Sequence, residues 1–260
     1  MQRIGSSNAS RTAFIADLHL TPEQPATTTL ATEFVEEIAT SCEQLFILGD
    51  LVEYWIGDDA YKGELNEFFQ SLAKLSRSAD QKCTTYLMHG NRDFLIGEQF
   101  TKANNIHLLP DDAYLLNTGD GDMLLMHGDT LCTDDQAYQG MRQLLRSSQW
   151  QQEFLSLSVA ERHNKAQQLR SQSKEETAKK SNDICDVNQQ SVEDTLSAAG
   201  VTRLLHGHTH RPARHEFQLK PQDKLLERWV VGDWQADGAV YALLDNGELT
   251  LRQWPRNNLF

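Results

Sequence analysis

Five short motifs of acidic, histidine and asparagine residues carry the candidate chemistry of this chain. They are Asp17–His19, Gly49–Asp50, Gly90–Asp93, His127–Gly128 and His206–His210. Carboxylate, imidazole and amide groups together suit divalent manganese, iron or zinc, and no motif contains the cysteine expected of a sulfur-rich centre. A carboxylate has two oxygens and can bridge two ions, and Asp50 is the natural bridge. The motifs therefore predict a binuclear metal site that polarises a phosphoryl group and activates water.

Each motif follows a short apolar run, and these runs must position the metal ligands. The runs at 13–16, 45–48, 86–88, 123–126 and 204–205 are typical of buried strands. Amphipathic helical patterns lie between the first strands, over Leu30–Ile38 and Leu65–Leu75. Alternating strands and helices predict parallel β-α-β units, whose ligands gather beyond the carboxyl ends of the strands. We therefore expect the five motifs to share one site.

Composition bounds the class of protein. The chain has 260 residues, of which 39% are hydrophobic, enough for one ordinary domain over 1–260. No apolar run approaches the roughly 18 residues of a membrane-spanning helix. The net charge of −13 argues against a nucleic-acid partner. Four dispersed cysteines without a CxxC pair, and a polar N-terminus without a signal peptide, predict a cytoplasmic protein.

A helical insert, about 136–190, differs from the rest of the chain. Residues 142–180 contain eight basic and four acidic residues, interleaved with apolar side chains such as Trp150 and Phe154. One interpretation is a surface that faces lipid or an anionic membrane. The other is a solvated helix whose apolar stripe packs on the core. Beyond the insert the pattern becomes strand-like, with a hairpin turn at Asn246–Gly247.

Taken together, the motifs resemble those of the calcineurin-like binuclear metallophosphoesterases. The resemblance implies an α/β (α+β) fold, a β-sandwich flanked by helices, here with a helical cap insert. It implies a first ion held by Asp17, His19, Asp50 and His208. It implies a second ion held by Asp50, Asn91, His127 and His206. His210 is expected to play a supporting or structural role.

Arg92 departs from the usual pattern of this superfamily. Its phosphatases and nucleases usually carry a histidine at this place, which helps to protonate an alkoxide leaving group. Arginine cannot act as a general acid at neutral pH, but it can hold a phosphate through two parallel hydrogen bonds. The sequence therefore favours a leaving group that needs no protonation, such as a phosphate, and hence cleavage of a pyrophosphate bond.

A closer resemblance is to the UDP-2,3-diacylglucosamine diphosphatases of lipid A biosynthesis. It is carried by the segments 14–20, 47–51, 55–59, 89–95, 126–135 and 206–212. It implies two Mn²⁺ ions, with attack of water on the α-phosphorus to give UMP and 2,3-diacylglucosamine 1-phosphate (lipid X). The catalytic residues are expected to be the seven metal ligands and Arg92. The expected substrate contacts are Asn91, Arg92, Asp135, Arg170, Ser173, Thr177, Lys180 and His206. Thr177 stands where close relatives often have asparagine.

The resemblance also implies a setting: a monomer that lies peripherally on the anionic inner face of the inner membrane. Two rival functions remain. A phosphodiesterase or nucleotide-tetraphosphate hydrolase of the same fold is disfavoured by Arg92 and the amphipathic insert. A catalytically silent binding scaffold is disfavoured because the chain retains the full set of ligands.

Overall fold

Two β-sheets form the centre of the computed structural model. The structure describes residues 1–5, 11–76, 83–178, 186–220 and 224–255, and for 174–178 it describes the backbone alone. The first sheet has the order β1 (Gln2–Ile4), β6 (Ala113–Asn117), β7 (Asp122–Met126), β8 (Arg203–His206), β10 (Leu226–Val230) and β9 (Ala213–Phe217). The second has the order β11 (Gly232–Gln235), β12 (Gly238–Asp245), β2 (Thr12–Ile15), β3 (Gln44–Ile47), β4 (Thr84–Met88) and β5 (Ile106–Leu109). A further strand, β13 (Glu248–Trp254), pairs with β12.

The helices fall into two groups. Three connect the strands of the second sheet: α1 (Pro25–Glu37), α2 (Asn66–Leu75) and α3 (Glu98–Ala103). Four follow β7: α4 (Gln136–Leu145), α5 (Ser148–Ser156), α6 (Val159–Ala178) and α7 (Gln189–Ala199). Gly200 ends α7 in the left-handed conformation with φ of 69°, as glycine commonly does at the C-terminus of a helix.

The sheets and helices stack in layers around three apolar clusters. Phe14 and Phe46 of the second sheet stack at 5.4 Å and pack against Met123 and Leu205 of the first. The other face of the second sheet packs on α1 and α2, and the other face of the first sheet packs on α7. The structure therefore has the expected β-sandwich flanked by helices.

The predicted strands that precede the motifs are all present. β2, β3, β4 and β5 run parallel, with helices as crossovers, and β7 and β8 form a parallel pair in the other sheet. The hairpin at Asn246 and Gly247 joins β12 to β13, with φ of 50° and 85° at its two central residues. Three motifs thus follow strands of one sheet and two follow strands of the other, a division that the apolar pattern did not reveal.

The four helices that follow β7, α4–α7, belong to two different parts of the molecule. Val192 and Leu196 of α7 are fully buried against the first sheet, so α7 is part of the sandwich. The three preceding helices, α4–α6, are called the cap here. The residues on either side of the cap are tied together, because Asn188 donates its amide to the Asp134 carboxylate at 2.9 Å and its peptide N–H to the Leu131 carbonyl. Among the described helices, none has the length and apolar character that crossing a membrane requires.

Candidate metal centre and substrate cavity

The motif side chains converge because the backbone turns sharply where each strand ends. Asp17, His19, Asp50, His208 and His210 all have positive φ, between 47° and 68°. Such values are uncommon for residues other than glycine and cost about 1–3 kcal/mol each. Hydrogen bonds between motifs hold the turns, from Asp17 N–H to the Gly49 carbonyl at 3.1 Å and from His19 N–H to the Asp50 carbonyl at 3.0 Å.

Motif glycines allow the loops to approach closely. A Cβ on Gly90 would lie 2.1 Å from Asp50 Oδ1, well inside any tolerable contact. A Cβ on Gly49, whose φ is +92°, would lie 2.7 Å from His127 Nδ1. A side chain at either position would therefore push the loops apart.

One group of potential ligands consists of Asp17, His19 and His210. A ligand atom from each lies within 4.8 Å of the others. The Nε2 atoms of the two histidines are 3.2 Å apart, and their rings stack at 5.0 Å. A second group with the same spacing consists of Asp17, Asp50 and His127. Asp50 lies between the groups, with Oδ2 3.7 Å from His19 Nε2 and Oδ1 3.7 Å from His127 Nε2.

Asn91 extends the second group. Its Oδ1 lies 3.1 Å from His127 Nε2 and 3.0 Å from His208 Nδ1. Ligands about 2.1 Å from one ion lie about 3 Å apart when they subtend a right angle. His127 Nδ1 donates to the Leu48 carbonyl at 2.8 Å, so its Nε2 carries the lone pair towards Asn91. The spacing and the tautomer both fit a bound divalent cation.

The buried carboxylates also fit a cation. Asp17 is fully buried, and its Oδ1 has no hydrogen-bond partner within the described ranges, while Oδ2 accepts the His208 N–H at 2.8 Å. Burial raises the pKa of Asp17 to about 7. Burial also opposes ionisation of Asp50, but the charges of His127, His19 and Arg92 lower its pKa below the ordinary value. A buried carboxylate without a partner is costly, and a metal ion would offset that cost.

The ring nitrogens of His206 contact groups other than the proposed metal ligands. Its side chain is fully buried, Nδ1 donates to the Gly207 carbonyl at 2.8 Å, and Nε2 lies 3.3 Å from Nη1 of Arg228. Burial, followed by the Arg228 charge, lowers the pKa of His206 to about 3. The sequence-based expectation paired His206 with His208 as ligands. The structure instead brings His208 and His210 beside the other donors, because the positive φ of both residues turns them inward.

A cavity of about 310 Å³ adjoins the metal groups through Asn91 and Arg92 and extends beneath the cap. Its lining is mainly apolar and includes Phe94, Leu95, Met141, Leu145, Trp150, Phe154 and Leu169. Five of the expected substrate contacts line it: Asn91, Arg92, Asp135, Arg170 and Ser173. His206 is buried elsewhere. Thr177 belongs to the last turn of α6, where the structure describes the backbone alone, and Lys180 lies outside the described residues.

Arg92 is poised for an anion. Its peptide N–H donates to Asp50 Oδ1 at 2.8 Å, which places the residue directly beside the second group. Its Nε is buried and has no hydrogen-bond partner in the described part of the chain. A buried, unpaired guanidinium N–H in a cavity is a suitable donor to a phosphate oxygen.

Comparisons with known proteins agree with this geometry. A family model described as calcineurin-like phosphoesterase matches residues 10–212. The chain belongs to this family. It is 43% identical over 224 residues to the UDP-2,3-diacylglucosamine hydrolase of Chromohalobacter salexigens, covering 86% of this chain and 89% of that one. It is 42% and 41% identical, over 235 residues, to enzymes of the same name from Pseudomonas aeruginosa and Photorhabdus laumondii. These alignments cover 90% of this chain and 95% of each relative.

Three residues around the centre of this phosphoesterase were not assigned a role from sequence. Asp93 accepts the peptide N–H groups of Gly90 at 2.8 Å and Leu51 at 2.7 Å, and so ties two motif loops together. Arg146 of the cap donates to the Gly90 carbonyl at 2.9 Å. Glu53 contacts His19 of the first metal group, with Oε2 3.1 Å from Nδ1. Asp93 lies within a motif, so its role could have been predicted from the sequence. The roles of Arg146 and Glu53 could not, because their contacts join segments that are distant in the sequence.

Proposed function

We propose that this phosphoesterase hydrolyses the pyrophosphate bond of UDP-2,3-diacylglucosamine and releases UMP and 2,3-diacylglucosamine 1-phosphate. Relatives at 41–43% identity over most of the chain carry the name of that hydrolase. The observation that carries the proposal is the apolar cavity that opens onto the metal groups through Asn91 and Arg92. A small nucleotide would leave such a lining unused, whereas acyl chains would bury it.

The proposal includes two manganese ions. The geometry favours Asp17, His19, Asp50 and His210 for the first ion. It favours Asp50, Asn91, His127 and His208 for the second. When bound, two such ions would polarise a phosphoryl group and lower the pKa of a water molecule beside it. This assignment keeps six of the seven ligands expected from sequence and replaces His206 with His210.

Arg92 has the role of holding the phosphate during the reaction. Its unpaired Nε can donate to a phosphate oxygen, and its fixed charge can stabilise the phosphate that departs. A sugar 1-phosphate leaves without taking up a proton, so no general acid is needed. With the acylated sugar under the cap, the uridine-side phosphorus would face the metal ligands and would be the atom attacked by water.

The insert over 136–190 supplies the proposed acyl-binding cap. Phe154 is buried at the cavity and stacks on Trp150 at 4.8 Å, so the apolar stripe both packs on the core and lines the cavity. Asp135, Arg170 and Ser173 offer polar contacts to the sugar and its phosphate. Thr177 and Lys180 remain proposed contacts by resemblance.

The outer surface of the cap supports a position on the cytoplasmic, anionic face of the inner membrane. Three large apolar side chains outside the cavity lining are exposed there: Leu144, Leu155 and Val159. Of the basic residues of the insert whose side chains the structure describes, Lys165 is exposed, and apolar side chains accompanied by a cation are typical of helices that lie on an anionic bilayer. We propose that a monomer of this chain takes its substrate directly from that surface.

Substrate competition tests the proposed activity. The metal-free protein, reloaded with Mn²⁺, is given UDP-2,3-diacylglucosamine, a dinucleoside tetraphosphate and a chain-free phosphodiester in ¹⁸O-water. The expected result is a strong preference for the diacyl substrate, with ¹⁸O found in UMP and absent from the lipid phosphate. Preference for the tetraphosphate would overturn the substrate, and label in the lipid phosphate would overturn the position of attack.

A further inference from the structure

Glu53 connects the first group of metal ligands to the cap. It lies three residues after Asp50, and its side chain is 24% exposed. Its Oε2 lies 3.1 Å from Nδ1 of His19. The negative charge of a carboxylate beside Nδ1 favours the proton on that nitrogen, which leaves the Nε2 lone pair directed towards Asp50 and His210. Glu53 therefore favours the tautomer of His19 that suits a metal ligand.

The second oxygen of Glu53 binds the cap. Arg170, in α6, donates from Nη2 to Glu53 Oε1 at 2.6 Å. The same guanidinium lies over the ring of Tyr54, 4.9 Å from its centroid. Arg170 also lines the cavity, and its remaining N–H groups are available to a ligand there. One carboxylate thus joins a metal-group histidine to a residue that faces the substrate cavity.

Both oxygens of the Glu53 carboxylate are engaged, Oε2 beside His19 and Oε1 by the Arg170 guanidinium. Its own backbone is held as well, because its N–H donates to the Leu20 carbonyl at 3.1 Å.

A second link between α6 and the core provides a natural contrast. Arg162 is almost fully buried and donates from Nη1 to the Ile56 carbonyl at 2.6 Å and to Asp59 Oδ1 at 2.8 Å. Gly57 makes room for it, since a Cβ there would lie 2.4 Å from Arg162 Nη1. This link anchors the same helix through the same chemistry, but Asp59 contacts no metal-group residue within the described ranges.

We propose that Glu53 is a positioning residue that couples the position of Arg170 in the cap to the position of His19. The affinity of the first metal site therefore depends on where Arg170 lies. Carboxylates that orient metal-bound histidines typically contribute 10–100-fold to affinity. Arg170 restrains the carboxylate, so occupancy of the cavity and occupancy of the metal site become coupled. The inference rests on the proposed function only for the identity of the ligand in the cavity.

The coupling between Arg170, Glu53 and His19 is tested by measuring Mn²⁺ binding to the metal-free protein by calorimetry, in the absence of substrate. Glu53→Gln is expected to weaken one of two binding steps by about 10–100-fold. Arg170→Met is expected to weaken the same step less, by about fivefold, and Arg170→Lys to recover part of the loss. Asp59→Asn, which loosens the other anchor of α6, is expected to leave both steps unchanged.

Each outcome decides the proposal. Wild-type Mn²⁺ affinity in Glu53→Gln would remove its positioning role, and wild-type affinity in Arg170→Met would remove the connection to the cap. An equal loss in Asp59→Asn would show a general effect of cap packing instead. Thermal unfolding of each metal-free variant checks the fold, and Arg170→Met still decides if Glu53→Gln does not fold. Because no substrate is present, failure here is distinct from failure to hydrolyse UDP-2,3-diacylglucosamine.

Discussion

The metal groups and the cap cavity lie on opposite sides of Asn91 and Arg92, and they are built in different ways. The metal groups are polar, their carboxylates are buried, and they are held in strained backbone by hydrogen bonds between motifs from both sheets. The cavity is lined mainly by apolar side chains on helices that contact the core through Phe154 and Trp150 and through hydrogen bonds from arginine, Tyr138 and Gln139 side chains. Ions need fixed spacing, whereas acyl chains need apolar volume. Substitutions on the metal side should therefore affect every substrate, and substitutions in the cavity should affect diacyl substrates selectively.

The largest effect is expected at the residue shared by both metal groups. Asp50→Ala should remove both ions and lower turnover of every substrate by about a thousandfold or more, because both groups lose a carboxylate. His127→Ala should empty mainly the second site. Metal analysis per chain, together with turnover of diacyl and chain-free substrates, measures the difference. Wild-type metal content in Asp50→Ala would contradict the bridging position.

The next comparison separates two histidines of the fifth motif. His210→Ala should weaken metal binding and lower turnover by about 10–100-fold, since it removes a donor beside Asp17 and His19. His206→Ala should retain both ions but lower the free energy of unfolding, because it empties a fully buried position beside Arg228. Metal content and thermal unfolding distinguish them. The reverse pattern would restore the ligand set expected from sequence.

Two adjacent cap residues test the expectation that substitutions in the cavity affect diacyl substrates selectively. Phe154 lines the cavity and is buried, while Leu155 is exposed outside it. Phe154→Leu should raise KM for the diacyl substrate about tenfold, the effect of losing a little over 1 kcal/mol of contact, and leave a chain-free phosphodiester unaffected. Leu155→Ser should leave both KM values unchanged in detergent and weaken binding to anionic vesicles. An equal loss on both substrates in Phe154→Leu would mean that the helix has a structural role alone.

The smallest expected effect concerns His89, at the end of β4. Burial lowers its pKa to about 4, against 6.5 for an ordinary histidine, although its ring nitrogen contacts the Ile96 carbonyl at 2.8 Å. The unfolded chain therefore takes up this proton first as the pH falls from 6.5 to 4. Over that range the free energy of unfolding should fall by up to about 1 kcal/mol per pH unit from this group.

The matched comparison is His89→Gln against His107→Gln, which alters an exposed histidine. Urea unfolding of the metal-free variants at several pH values should show a shallower pH dependence for His89→Gln and the wild-type dependence for His107→Gln. Identical slopes in all three proteins would contradict the role of burial at His89.

Sequence reasoning succeeded where local pattern decides structure. Short apolar runs before Asp17, Asp50 and His127 are buried strands, and the motifs that follow them lie side by side. In the fifth motif, three histidines at alternate positions offer two equivalent pairs of ligands. The proposed pair, His208 and His210, differs from the pair expected from sequence because it depends on the backbone turns at these two residues. The role of Glu53 could not be predicted from the sequence for another reason. Its partner Arg170 lies 117 residues away, so no window of sequence contains both.

The hydrogen bonds between Asn188 and Asp134 have an evolutionary consequence. They close the base of the excursion that contains the cap, so the chain leaves the sandwich and returns to it at nearly the same place. A phosphoesterase with a short loop there would keep both sheets connected in the same order, because no described strand lies between Asp134 and Asn188. The same closure marks where a cap from a relative could be exchanged, to show whether the proposed preference for acyl chains moves with the three helices.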